Sequence, residues 1–222
     1  MKTRILSAAL VTGLFASSAA FAQLNLQQFG IGGGNSSGNA GASASSGGVS
    51  QLLQNYVGAN QQVLSGQSSL ASAIGLSSAA SQAQQASGLL SGGTPSVSQL
   101  SQVGSTQQSL SQTLTQAFAS RGSDSSAPVD KQAFANGLAS LGQGVSQYSS
   151  LQSSLGSLGQ MNAGSLLQAG MNPQTAQAAS YIAQSAPGQL QSLASTLSAA
   201  VQFAASHGIS VPSIATSALK GF

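Results

Sequence analysis

Residues 134–158 read FANGLASLGQGVSQYSSLQSSLGSL. Phe134, Leu138, Leu141, Val145, Tyr148, Leu151, Leu155 and Leu158 recur at steps of three and four, the spacing of one helix face. Between them stand Ser, Gln, Asn, Gly and Ala, with no charged residue. Gly137, Gly142, Gly144 and Gly156 lie inside this helix, each costing about 1 kcal/mol relative to Ala. It is therefore expected to form only when its apolar face is packed. The same glycines, set beside the face, would let a partner helix come close.

The pattern extends in both directions. Toward the C-terminus, Leu190, Leu193, Leu197, Val201 and Ala204 make a similar stripe, and Gly208 is placed to end that helix, with His207 beside it. Toward the N-terminus, Val97, Leu100, Val103, Leu110, Leu114 and either Ala117 or Phe118 share a face in which Gln107 also stands. A first helical region carries Val49, Leu52, Leu53, Tyr56, Val57, Val63, Leu64, Leu70 and Ile74. Gly66 and Gly75 leave open whether it is one kinked helix or two.

All five prolines stand where a helix could begin: Pro95, Pro128, Pro173, Pro187 and Pro212, with Thr94 and Asn172 placed to cap the first N–H groups. They predict helices near 96–120, 130–159, 173–186, 188–207 and 211–219. Period-two alternation is sustained nowhere. The tetrapeptide Val-Ser-Gln-Leu occurs at 49–52 and 97–100, with Gln-Gln following at 61–62 and 107–108, which raises duplication of a helical unit or coincidence in a biased composition.

The N-terminal stretch reads differently. Met1 to Ala22 has a basic start (Lys2, Arg4), an apolar centre and small residues ending in Ala20-Phe21-Ala22, the pattern of a secretory signal peptide. Residues 23–48 are dominated by Gly, Ser, Asn and Ala, a composition expected of a flexible linker, in which Leu24, Leu26 and Phe29 could dock. The expected architecture is thus all-α. A low-charge bundle of about four to six helices over residues 49–222 follows a signal peptide (1–22) and a Gly/Ser-rich tether (23–48).

Composition narrows the function. The 222 residues are 41% hydrophobic but only 3% charged, where an ordinary domain has roughly 25% charged residues. Regularly placed Leu, Val, Ile and Phe argue against disorder, and no run beyond the N-terminus approaches the ~18 apolar residues of a spanning helix. There is no cysteine, hence no disulfide and no thiolate chemistry. The formal charge of +3 includes Lys2 and Arg4. Without them Arg121, Lys131 and Lys220 face Asp124 and Asp130, and no cluster of cations remains for nucleic acid.

Chemistry is sparse as well. His207, Asp124 and Asp130 are the histidine and carboxylates available, too few and too scattered for a metal site or most catalytic mechanisms. Gly34-Asn35-Ser36-Ser37-Gly38 matches the G-x-S-x-G form and Gly30 to Gly34 partly matches a phosphate loop. Both lie in the tether rather than between a strand and a helix. Arg121, Asp124, Asp130 and Lys131 gather around one interhelical segment and read as a solvated loop. The terminal Phe222 would suit an outer-membrane barrel, but barrel alternation is missing, and it reads as a docked or frayed end.

No catalytic, cofactor-binding or metal-binding residue is assigned, no cofactor is expected, and no motif marks a known family. The leading expectation is an exported, noncatalytic structural or interaction protein, periplasmic or extracellular. It would associate with itself or with another cell-envelope protein in a matrix, filament or surface layer, because uncharged faces lack like-charge repulsion. The alternatives are a membrane-active or lipid-binding helical protein, disfavoured by the absence of Lys and Arg on the polar faces, and a periplasmic chaperone or small-ligand carrier. In the carrier, Met161, Met171 and Tyr181 would line an apolar groove. Nucleic acid is excluded as a partner.

Overall fold

The computed structural model describes residues 40–92, 94–121, 128–158, 167 and 172–222, with backbone only for 40–47 and 155–158. The expected signal peptide and most of the expected tether lie outside the described residues. Among the described residues there are six α-helices and no strand: α1 (Ala40–Ala73), α2 (Ser77–Gly88), α3 (Val97–Arg121), α4 (Lys131–Leu158), α5 (Pro173–Ser206) and α6 (Ser213–Leu219). All belong to the unit Asn39–Phe222. No helix is long and apolar enough to cross a membrane among the described residues.

From Phe134 to Leu151 the stripe is buried as its spacing predicts. Phe134, Leu138, Leu141 and Val145 are fully buried, and Tyr148 and Leu151 nearly so. Its main partner is α1, and the two helices meet through glycine. A Cβ added at Gly66 would lie 2.6 Å from the backbone nitrogen of Leu141, one at Gly137 2.9 Å from that of Leu70, and one at Gly144 3.0 Å from that of Val63. As numbers rise along α4 they fall along α1, so the pair is antiparallel. On another side of α4 a Cβ at Gly142 would meet Cα of Ala215 at 2.7 Å, which seats α6. The propensity lost at these glycines is offset by backbone approach that any side chain would block.

The first helical region resolves into two helices, and the break falls at Gly75 rather than Gly66. Gly75 has φ +76°, a left-handed conformation that glycine adopts without penalty, and Leu76 N–H then bonds back to Ala71 O at 2.8 Å. α1 begins at Ala40, within the stretch read as tether, and Val49 is its first residue shown buried.

Four prolines precede or open helices, but Pro187 does not. It lies inside α5, so the two helices expected at 173–186 and 188–207 are one. Interior proline costs about 3 kcal/mol because it lacks an N–H and crowds the preceding turn. Burial of Ile182, Ala186, Leu190 and Leu193 on both sides of Pro187 carries the helix through.

Capping is partly as expected. Asn172 Oδ1 accepts from Gln174 N–H at 2.9 Å, with Pro173 at the first helical position. At α3 the cap is Ser96 instead of Thr94: Ser96 Oγ accepts from Gln99 N–H at 3.3 Å while Gln99 Oε1 accepts from Ser96 N–H at 2.8 Å. This reciprocal box satisfies two end groups at once, which Thr94, lying ahead of Pro95, would not. It also separates the two Val-Ser-Gln-Leu copies, since that at 97–100 opens a helix and that at 49–52 lies within one.

At the far end of α5, Gly208 has φ +60°, Ile209 N–H bonds to Ala204 O at 2.9 Å, and Gly208 N–H reaches Ala205 O at 3.4 Å. That is a Schellman closure, and the buried Ile209 supplies its apolar contact. Side-chain pairings across the core show α1, α3 and α5 running parallel, with α4 against them.

Candidate functional site

Between α3 and α5 lies a cleft of about 370 Å³, with Gly104, Gln107 and Gln108 on one wall and Tyr181, Ser185 and Gln189 on the other. No charged residue lines it. Glycine at 104 keeps it open: a Cβ there would stand 2.6 Å from Gln189 Nε2 and 2.9 Å from the Tyr181 hydroxyl.

Behind the cleft is a largely buried polar network built from residues of four helices. Tyr56 of α1 and Tyr148 of α4 meet edge to face with ring centroids 5.6 Å apart. Both phenols donate to Gln189 Oε1, at 2.8 and 2.9 Å. Two donors use both lone pairs of that oxygen and so orient the amide, leaving Nε2 without a partner among the described residues. Asn60 Nδ2 donates to Tyr56 O at 2.7 Å, and Asn60 Oδ1 accepts from Gln107 Nε2 at 2.8 Å. Gln67 Nε2 donates to Ser111 Oγ at 3.0 Å and, less closely, to Gln107 O at 3.3 Å. Among the described residues three buried oxygens have no hydrogen-bond partner: Gln67 Oε1, Gln107 Oε1 and Ser185 Oγ.

The electrostatics are those of neutral groups. Burial pushes the Tyr56 phenol above the usual tyrosine value, partly offset by its bond to Gln189. Tyr148 is held well above it, by burial first and then by repulsion from Tyr56. Both stay protonated far beyond neutral pH, so neither supplies a general base there. What the site can do is exchange hydrogen bonds with a bound molecule.

The residues weighed for chemistry are placed elsewhere. His207 ends α5, its Nδ1 within 2.9 Å of Phe203 O and 3.0 Å of Ser206 Oγ, and its ring stacks on Phe203 at 3.9 Å. Asp130 is the N-cap of α4, its Oδ1 accepting from Ala133 N–H at 3.0 Å, a role beyond that of a solvated loop residue. Lys131 Nζ reaches Gly208 O at 3.5 Å. Among the described residues no group of three or more His, Cys, Asp or Glu could hold a metal ion.

Asp124, the Gly30 to Gly38 motifs, Met161 and Met171 lie outside the described residues. Tyr181 does line a cleft, among glutamine, serine and glycine residues. Phe222 is 61% exposed beside Leu190 and Leu219, at the rim of a shallow cleft of about 620 Å³.

Of the network, the sequence marked Gln107 as a polar residue in an apolar stripe. Asn60 and Gln67 carry the same signal, lying on the face of Tyr56, Leu64 and Leu70. Gln189 carried none, because adjacent Leu190 explains the stripe. Compared with family models, curated proteins and solved structures, the chain has no match in any of the three.

Proposed function

We infer that this chain is an exported, noncatalytic structural or interaction protein that associates with copies of itself in a matrix, filament or cell-surface layer. The observation that carries the reading is the outer face of α3. Its exposed positions outside the cleft between α3 and α5 are Ser98, Ser101, Gln102, Ser109, Gln112, Thr113, Thr115, Gln116, Ala119 and Ser120, a surface about 25 Å or more in length by helix rise without a charge. Surfaces that carry charge keep proteins apart by repulsion, and this one instead offers amides and hydroxyls able to pair with their own kind. The exposed Phe222 beside Leu190 and Leu219 adds an apolar contact point.

Size-exclusion chromatography with light scattering on residues 23–222, over a concentration series at two salt concentrations, tests it. Growth of large species with concentration, little affected by salt, is the expected result. A monodisperse monomer throughout would remove self-association.

A further inference from the structure

We propose that the cleft between α3 and α5 binds a neutral polyhydroxylated ligand, one or two sugar rings in size. The site is complete within a single chain, so the proposal goes beyond assembly and does not depend on it.

Its size sets the first limit, because about 370 Å³ lies at the small end of the ~300–1,000 Å³ of small-molecule sites. Its chemistry sets the second. An anion would need a cation in the walls and an ammonium would need a carboxylate, and neither is present. An apolar ligand would seal off amides and hydroxyls without replacing their bonds to water.

A sugar hydroxyl donates and accepts at one atom, which is what this cleft lacks on both counts. Gln107 is 2% exposed with Oε1 unpaired, and Ser185 Oγ is likewise buried and unpaired, so two oxygens have given up water and received no donor. Gln189 Nε2 supplies the complementary donor. Its direction is fixed by the Tyr56 and Tyr148 hydroxyls holding the other end of the amide. Preorganised donors and acceptors of this kind lower the ordering cost of binding.

The chain carries its own reporter. It has three tyrosines and no tryptophan: Tyr56 and Tyr148 bind Gln189, and Tyr181 lines the cleft. Tyrosine emission therefore reads this site alone.

The test titrates the full chain with maltose, cellobiose and diacetylchitobiose, and with a neutral blocked dipeptide and glucuronic acid as contrasts, following heat and tyrosine emission to about 10 mM ligand. A saturable change with at least one of the three disaccharides, unaltered by added salt, is expected. Ser185→Ala should weaken it about fivefold or more, the worth of one neutral hydrogen bond, with an unchanged helical spectrum. Gly104→Ala, whose methyl would press on Gln189 and Tyr181, should weaken it further. No response to any disaccharide overturns the proposal. So does tighter binding of the dipeptide or of glucuronic acid, or disaccharide binding that both variants leave intact.

Discussion

Each of α3, α4 and α5 contributes one phenylalanine to an end of the bundle and at least one polar side chain to its middle. At the end, Phe118, Phe134 and Phe203 pack with ring centroids 5.2 to 5.7 Å apart, and His207 stacks on the last. In the middle, Gln107, Tyr148 and Gln189 from the same helices hydrogen-bond with Tyr56 and Asn60 of α1. Ring packing is tolerant of angle, and the three pairs are edge-on, tilted and stacked. Hydrogen bonds are not tolerant, and the middle leaves three oxygens unpaired. An end that can adapt closes completely. A middle that needs direction closes only in part, and the cleft lies where it fails.

Phe134→Ala should cost about 3–5 kcal/mol in urea unfolding, because it leaves a cavity between Phe118 and Phe203 that two rigid rings fill poorly. A loss under 1 kcal/mol would mean that the end collapses as easily as a surface site, and would remove the contrast. Gln189→Leu should cost about 2–6 kcal/mol by stranding two buried phenols, at about 1–3 kcal/mol each. Replacing Tyr56 and Tyr148 by Phe in that background should recover most of it, since deleting both partners removes the unmet demand. Failure to recover would show that Gln189 acts through packing, as the phenylalanines do.

Alkaline pH separates the regions without a mutation. The unfolded chain releases tyrosine protons near pH 10, whereas folded Tyr56 and Tyr148 hold theirs to higher pH. The unfolded state thus binds fewer protons above that point. Stability from these phenols is full below about pH 10 and falls above it, by at most about 1.4 kcal/mol per phenol for each pH unit. Thermal melts alongside tyrosinate absorbance would show this, and the Tyr56→Phe, Tyr148→Phe chain should lose less. Equal alkaline sensitivity would place its origin outside the middle. The smallest effect belongs to Asp130→Ala at the aromatic end, about 1 kcal/mol for the lost cap of α4. A thermal shift beyond that of a single cap would tie the ring cluster to the start of the helix.

Legibility followed from how each feature is encoded. The stripe from Phe134 to Leu151 was readable because burial of one helix face imposes a period that neighbours cannot disguise. The Gly208 closure was readable because a left-handed residue at a helix end selects glycine. Pro187 misled because its local penalty is real, and only packing on either side outweighs it. Gln189 was hidden because nothing local distinguishes an exposed glutamine from one that receives two phenols from helices far away in sequence.

By itself the sequence determined that the chain is helical, nearly uncharged and spaced by glycine for close packing, since period, composition and turn chemistry act over a few residues. Only the tertiary structure decided that α5 runs unbroken through Pro187, that the three tyrosines and Gln189 share one site, and that a polar cleft opens beside them. Those outcomes depend on which distant side chains meet, and a hydrogen bond between helices leaves no period along either one.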